Sequence, residues 1–273
     1  MTTAVNRLLP FQIFQKQPAV KFALLVLNRS PNCPCMERNF AKFWPLADLK
    51  VCTDGAGNWF HEQKLLPDWI SGDGDSIRPE SRDYFQQNGV PFVHTPDQDA
   101  TDFTKCLQLL LNLDSGGDGG PRPPEKLTLK GGPDFRSGGI YVLGGLCSDR
   151  FDHLLSALNT LIQMQAQLNG IPIYMVHGSS LVSLLGPGRH ELTFDPCPIG
   201  QLAGTYCGLV PIGRACEHVT TTGLKWNLSD DRMEMGGLVS TSNEIQAERV
   251  TVETDGPLVW TMETRDRSGQ SLV

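Results

Sequence analysis

Residues 20–27 read VKFALLVL, an apolar run that shows no wet face. A strand of that kind needs cover on both sides, which is the condition of a strand inside a parallel sheet flanked by helices. The stretches that follow agree with this demand. The pattern predicts a helix over 37–47, then a strand over 49–53 that ends at Asp54-Gly55-Ala56-Gly57. A short strand at Trp69-Ile70 runs into Ser71-Gly72-Asp73-Gly74-Asp75. Pro79 opens a helix to Gln87, since proline suits a first helical turn. A strand over 90–94, a helix over 101–113 with Phe103, Cys106 or Leu107, Leu110 and Leu113 on one stripe, a strand over 140–143, a helix over 151–168 and a strand over 171–176 complete the alternation. Strand and helix in turn imply a mostly parallel sheet with helices on its faces.

The texture changes beyond residue 180. Short runs at 190–194, 206–211, 218–222, 237–241, 249–253 and 258–262 are separated by turn residues, and no convincing helix intervenes. This reads as an all-β domain, a sandwich. The expected organisation is an N-terminal extension over 1–19, an α/β domain over 20–180 and a β-sandwich domain over 181–273. One interruption stands out: twelve of the 26 residues from 114 to 139 are Gly or Pro, so this stretch reads as a flexible surface insertion.

Charge and cysteine content narrow the function classes. Lys plus Arg number 23 against 30 Asp plus Glu, a net charge of −7. A nucleic-acid binder needs a basic footprint, so none is expected. No apolar run reaches the roughly 18 residues of a transmembrane helix, so no membrane partner is expected. The first 17 residues lack a long apolar stretch and a cleavage site, which argues against a secretory signal and for the cytoplasm, with a weak targeting peptide left open. The eight cysteines include no CxxC pair, so structural zinc is not expected and reduced thiols are.

Carboxylates crowd the predicted strand ends, where open α/β sheets bind ligands. Asp54, then Asp73 and Asp75, then Asp97, Asp99 and Asp102 fall there. Converging carboxylates call for a cation, and Mg²⁺ held by carboxylate oxygens commonly shares its shell with substrate phosphates. Each piece alone has a plainer reading. Gly72 to Ser76 also reads as a turn, and Asp99 as a helix N-cap with Asp102 in the first turn. Lys105 shares a helix face with Asp102, as a phosphate contact or as a salt bridge. Gly144-Gly145 followed by Arg150 and Asp152 offers a close backbone approach and a planar guanidinium. There is no GxxxxGK[ST] loop, no complete GxGxxG, no HExxH and no GxSxG. In the β region, Trp226 stands in a polar loop suited to stacking on a flat or cationic ring, with Ser240 and Asn243 as small polar neighbours.

These segments, taken in order, resemble the eukaryotic thiamin pyrophosphokinases. They are SGDGDSIRPE at 71–80, TPDQDATDFTKCL at 95–107, LGGLCSDRFDH at 143–153, TTTGLKWNL at 220–228, LVSTSN at 238–243 and VTVETDGPLVWTM at 250–262. The resemblance implies an α/β domain followed by a β-sandwich domain. It implies transfer of the diphosphate of ATP to the hydroxyl of thiamin, giving thiamin diphosphate and AMP with Mg²⁺ as cofactor, in a homodimer with the active site at the subunit interface. By the same resemblance Asp73, Asp75 and Asp102 form the metal and phosphate site. Asp54, Asp75, Gln98, Thr101, Arg150 and Asp152 are the ATP contacts. Asp73, Asp99, Asp102, Lys105 and Arg150 carry catalysis. Trp226 packs on thiamin from the partner subunit, with Ser240 and Asn243 nearby. Two departures from the family are the length of the 114–139 insertion and the Gly55-Ala56-Gly57-Asn58 sequence after Asp54. A metal-dependent nucleotidyl or nucleotide-sugar transferase, which also uses DxD, and a catalytically silent binding protein are the rival readings.

Overall fold

The computed structural model describes residues 5–14, 20–28, 34–115, 138–146, 150–168, 170–265 and 268–272. Most of the 114–139 insertion, and Cys33 and Cys147, lie outside the described residues. The chain enters through strand β1 (Val5–Leu8) and a 3-10 turn at Gln12–Phe14. Then come β2 (Ala23–Val26), α1 (Pro34–Phe43), β3 (Leu49–Thr53), α2 (Asp54–Glu62), β4 (Trp69–Gly72), α3 (Pro79–Gln87), β5 (Phe92–His94), α4 (Asp102–Ser115), β6 (Ile140–Leu143), α5 (Phe151–Met164) and β7 (Ile173–His177). The remainder is β8 (Ser180–Leu185), β9 (Gly188–Thr193), a single-turn α6 (Ile199–Leu202), β10 (Tyr206–Pro211), β11 (Cys216–Thr222), β12 (Asp231–Met233), β13 (Ser240–Glu244), β14 (Arg249–Thr254) and β15 (Leu258–Glu263). Two compact units result. One comprises Lys21–Ile171 with Met175–Gly178; the other comprises Met1–Val20, Pro172–Tyr174 and Ser179–Val273.

The first unit is α/β. Strands β6, β2, β3, β4 and β5 lie side by side in that order, all parallel. Every residue of β2, β4 and β6 is buried, as cover on both faces requires. Trp69, Tyr141, Phe22 and Phe60 are its largest fully buried side chains, with the Phe22 ring edge-on to Tyr141 at 5.2 Å. The chain winds outward from β2 through β5 and then returns to β6 on the other side of β2. That reversal is a topological switch point, where the loops at the strand carboxyl ends part and leave a crevice.

The second unit is strand-rich. One sheet runs β1-β9-β14-β11-β12, and β13, β10, β15 and β8 pair in sequence as antiparallel neighbours. Along β14 burial alternates, with Val250, Val252 and Thr254 inward and Arg249 and Glu253 outward, as a sheet packed on one face demands. Phe11 and Phe194 are both fully buried, their ring centroids 6.3 Å apart. The N-terminal β1 pairs in parallel with β9, so residues 5–8 belong to this sheet. Among the described residues no helix is long and apolar enough to cross a membrane.

Candidate active site

The carboxyl ends of β3 and β4 bring three acids together. Asp54 opens α2 directly from the last residue of β3 and is fully buried. Its Oδ1 accepts the Gly55 N–H at 2.7 Å and its Oδ2 accepts the Gly74 N–H at 3.1 Å. Burial pushes the Asp54 pKa up, the Asp102 charge adds to the rise, and the Gly55, Gly74 and Ser76 amides oppose it. Gly72 sits at the end of β4 because nothing larger fits: a Cβ there would lie 2.4 Å from Asp54 Cγ. Asp73 and Asp75 follow on the turn. The Asp73 carboxylate accepts the Asp75 N–H at 3.1 Å and Gln98 Nε2 at 2.8 Å, and these two bonds hold its pKa below the usual value. One oxygen from each of Asp54, Asp73 and Asp75 lies within 4.8 Å of the others. Three hard oxygen donors so close together fit a divalent cation such as Mg²⁺.

The loop after β5 is organised around a buried ammonium. Lys105 is 5% exposed, and its Nζ donates to the Thr95 carbonyl at 3.2 Å and the Asp97 carbonyl at 3.1 Å and meets Asp102 Oδ1 at 2.9 Å. An ammonium has three protons, so these partners use them all. Lys105 thus ties the 95–102 loop to α4. Asp102 lies outside the three-carboxylate group, held by Lys105 instead. Thr101, not Asp99, caps α4: its Oγ1 accepts the Thr104 N–H at 3.1 Å. Asp99 is exposed, its N–H given to Asp97 Oδ1 at 2.8 Å.

At the switch point between β2 and β6 a pocket of about 220 Å³ opens, lined among others by Asn28, Thr101, Asp102, Gly144, Gly145 and His153. Gly145 approaches so closely that a Cβ would lie 2.4 Å from Met175 Cε. Arg150 stands at the N-cap position of α5 with no side-chain capping bond, and forms a two-pronged ion pair with the equally exposed Asp152, with Nε 3.1 Å from Asp152 Oδ1.

In the strand-rich unit Trp226 is 55% exposed on the turn between β11 and β12. Asn243 is buried and grips it: Oδ1 accepts the Trp226 N–H at 3.1 Å and Nδ2 donates to the Trp226 carbonyl at 2.7 Å. Its remaining capacity goes to the Glu244 N–H at 2.8 Å and Ser240 Oγ at 3.3 Å. Asn243 therefore positions Trp226 and has no bond to spare for a ligand.

Residues 40–175 match the family described as thiamin pyrophosphokinase, catalytic domain, and residues 189–259 that described as thiamin pyrophosphokinase, vitamin B1 binding domain. Thiamine pyrophosphokinase 1 of Arabidopsis thaliana is 32% identical over 270 residues, 92% of this chain and 89% of its own. The chain belongs to the thiamin pyrophosphokinase family. It is thus an enzyme of the kinase class, as its named relatives are. The thiamin pyrophosphokinase 1 of Caenorhabditis elegans is 29% identical, covering 94% of this chain and 95% of its own. The crystal structure of yeast thiamin pyrophosphokinase superposes with a TM-score of 0.74 at 25% identity, over 96% of this chain and 92% of that one.

The sequence places Asp54 on the same strand-end rim as Asp73 and Asp75, and the three do meet there; it does not place Asn28, His153 or Ser156 at the pocket. Asn28 carries no signal in the sequence, because its importance is a packing fact: a Cβ on Gly55 would lie 2.1 Å from its Nδ2.

Proposed function

We propose that the chain transfers the diphosphate of ATP to the hydroxyl of thiamin, giving thiamin diphosphate and AMP, and that the reaction depends on Mg²⁺. The observation that carries this reading is the gathering of Asp54, Asp73 and Asp75 oxygens within 4.8 Å at adjacent strand ends, in a chain of this family. Those three residues would hold Mg²⁺, which when bound neutralises phosphate charge and acts as a Lewis acid. Gln98 fixes the orientation of Asp73. Asp102 keeps one oxygen on Lys105 and offers the other to the thiamin hydroxyl, to orient it and take its proton. Thr101, Arg150 and Asp152 stand at the N-termini of α4 and α5, where anions are favoured, and the Arg150 fork suits the leaving AMP. Attack at phosphorus needs position and charge compensation more than covalent help, which matches a site rich in fixed charges.

Trp226 is read as the platform for the cationic thiamin, with Asn243 and Ser240 fixing its loop. The enzyme is read as a homodimer in which the partner subunit's Trp226 completes each site. Trp226, Met235, Leu238 and Val239 are each exposed apolar side chains, which such a contact would cover. The cytoplasm fits the buried free thiols: burial pushes both Cys106 and Cys207 up to about 12, so neither ionises near neutrality.

Product analysis tests the reading. Incubation with ATP, Mg²⁺ and thiamin is expected to yield AMP and thiamin diphosphate in equal amounts. ADP with thiamin monophosphate would move the attack to another phosphorus. Absence of product with thiamin still bound would make the chain a silent binder.

A further inference from the structure

The half-exposed Trp226 ring already carries a cation on one face. Lys225 Nζ lies 4.5 Å from the ring centroid, within cation–π reach. The ammonium is not loose. It stands 3.0 Å from Glu244 Oε1, and the Glu244 side chain is 8% exposed against 45% for Lys225. The Lys225 N–H donates to the Glu244 carbonyl at 2.9 Å, which fixes the base of the side chain as well. Gln246 Nε2 stands 3.5 Å from Glu244 Oε2. A carboxylate this buried needs a positive partner, and here that partner is laid across the indole. Whatever stacks on this face of the ring must therefore move a cation and must also answer the Glu244 charge.

We propose that Lys225 is a specificity-determining residue that holds the Trp226 face as a stand-in cation, to be exchanged for the cationic thiazolium ring of thiamin. This rests on the reading of Trp226 as the thiamin platform. The exchange is charge for charge. The ammonium, half-exposed, turns out to water, and the ligand's positive ring takes its place over the indole and near Glu244. A neutral ring of the same shape would displace the ammonium without replacing its positive charge beside Glu244, and is rejected.

Calorimetric titration of the full-length protein with thiamin alone decides the matter. Lys225→Met and Lys225→Gln remove the ammonium, the latter leaving Glu244 a neutral hydrogen-bond partner in case the former does not fold. Both are expected to bind thiamin about fivefold more tightly, the weight of one cation–π contact. Unchanged or weaker binding in the folded variants overturns the proposal. In the wild type, the Lys225 ε-methylene protons should show an upfield ring-current shift that collapses on adding thiamin; a shift that persists at saturation also overturns it. Trp226→Ala separates the two readings. If it binds thiamin as the wild type does, the platform reading and this proposal fall together. If it binds weakly while the Lys225 variants do not tighten, only this proposal falls.

Discussion

A methyl group at position 72 would collide with the Asp54 carboxylate, 2.4 Å from Cγ and 2.7 Å from Oδ2. Asp54 cannot step aside, because it is fully buried and both its oxygens are held by backbone amides. Gly72→Ala should therefore displace the acid rather than unfold the strand. Overpacking of this kind costs about 1–3 kcal/mol, and a misplacement near 1 Å costs on the order of 10²-fold in rate. The expected outcome is a folded protein with a lowered Tm and a kcat reduced by about that factor, read by calorimetry and steady-state assay; wild-type kcat would show that Asp54 has no place in the chemistry. His190 acts at the same scale on stability. It is 4% exposed, its Nε2 is 2.7 Å from the Gly186 carbonyl, and its Nδ1 is buried without a partner. Burial lowers its pKa from 6.5, with the Gly186 carbonyl opposing. The folded state thus binds a proton less readily than the unfolded state. The stability this contributes is full above about pH 6.5 and is lost as pH falls below it, at up to about 1.4 kcal/mol per pH unit. Urea unfolding at pH 7.5, 6.5 and 5.5 should show the wild type losing stability faster than His190→Phe. Parallel curves would remove His190 from the account.

Elements differ in how plainly they were written in the sequence. The expected bounds of α3, β6 and β10 coincide with those found, because Pro79 marks a helix start and fully apolar or alternating runs mark strands. Helix α2 went unread: Asp54-Gly55-Ala56-Gly57 carries turn residues, and only packing against Asn28, Ile77 and Phe85 explains glycines inside a helix. Strands β1 and β12 are short edge strands with one buried residue each, too little for a period to show. The single turn α6 is likewise below the length at which a helical stripe appears. At the site, residue types and the Lys105–Asp102 pair were legible, and most other partners were not. The acids stand out by composition, whereas the burial of Lys105 and the four bonds of Asn243 depend on long-range packing. The same distinction governs the 114–139 segment. Its composition marks it as dispensable, yet Gly138 at its end approaches the chain so closely that a Cβ would lie 2.2 Å from the Lys21 carbonyl oxygen. Replacing 116–137 with a short Gly/Ser linker is expected to leave kcat within about twofold, whereas Gly138→Ala should lower Tm. A folded linker variant with collapsed kcat would show that the segment works in the reaction.

At the scale of the whole molecule, the proposed chemistry is divided between the two units. The carboxylates belong to the one spanning Lys21–Ile171, and Trp226 belongs to the other. If each site takes its acids from one subunit and the partner subunit's Trp226 for its platform, two dead variants should rescue each other. Asp73→Asn lacks a cation ligand but keeps its tryptophan; Trp226→Ala keeps its acids. Neither homodimer contains an intact site. Unfolded together and refolded in equal amounts, half the dimers are mixed, and each mixed dimer has one site with both residues intact and one with neither. Activity should return to about a quarter of the wild-type value, because closed two-fold symmetry gives each dimer two equivalent sites. If acids and tryptophan came from the same chain, each site of the mixed dimer would carry one defect or the other, and the mixture would stay as inactive as its parts. Assay of the reassorted mixture therefore separates a site shared between subunits from one contained within a single chain.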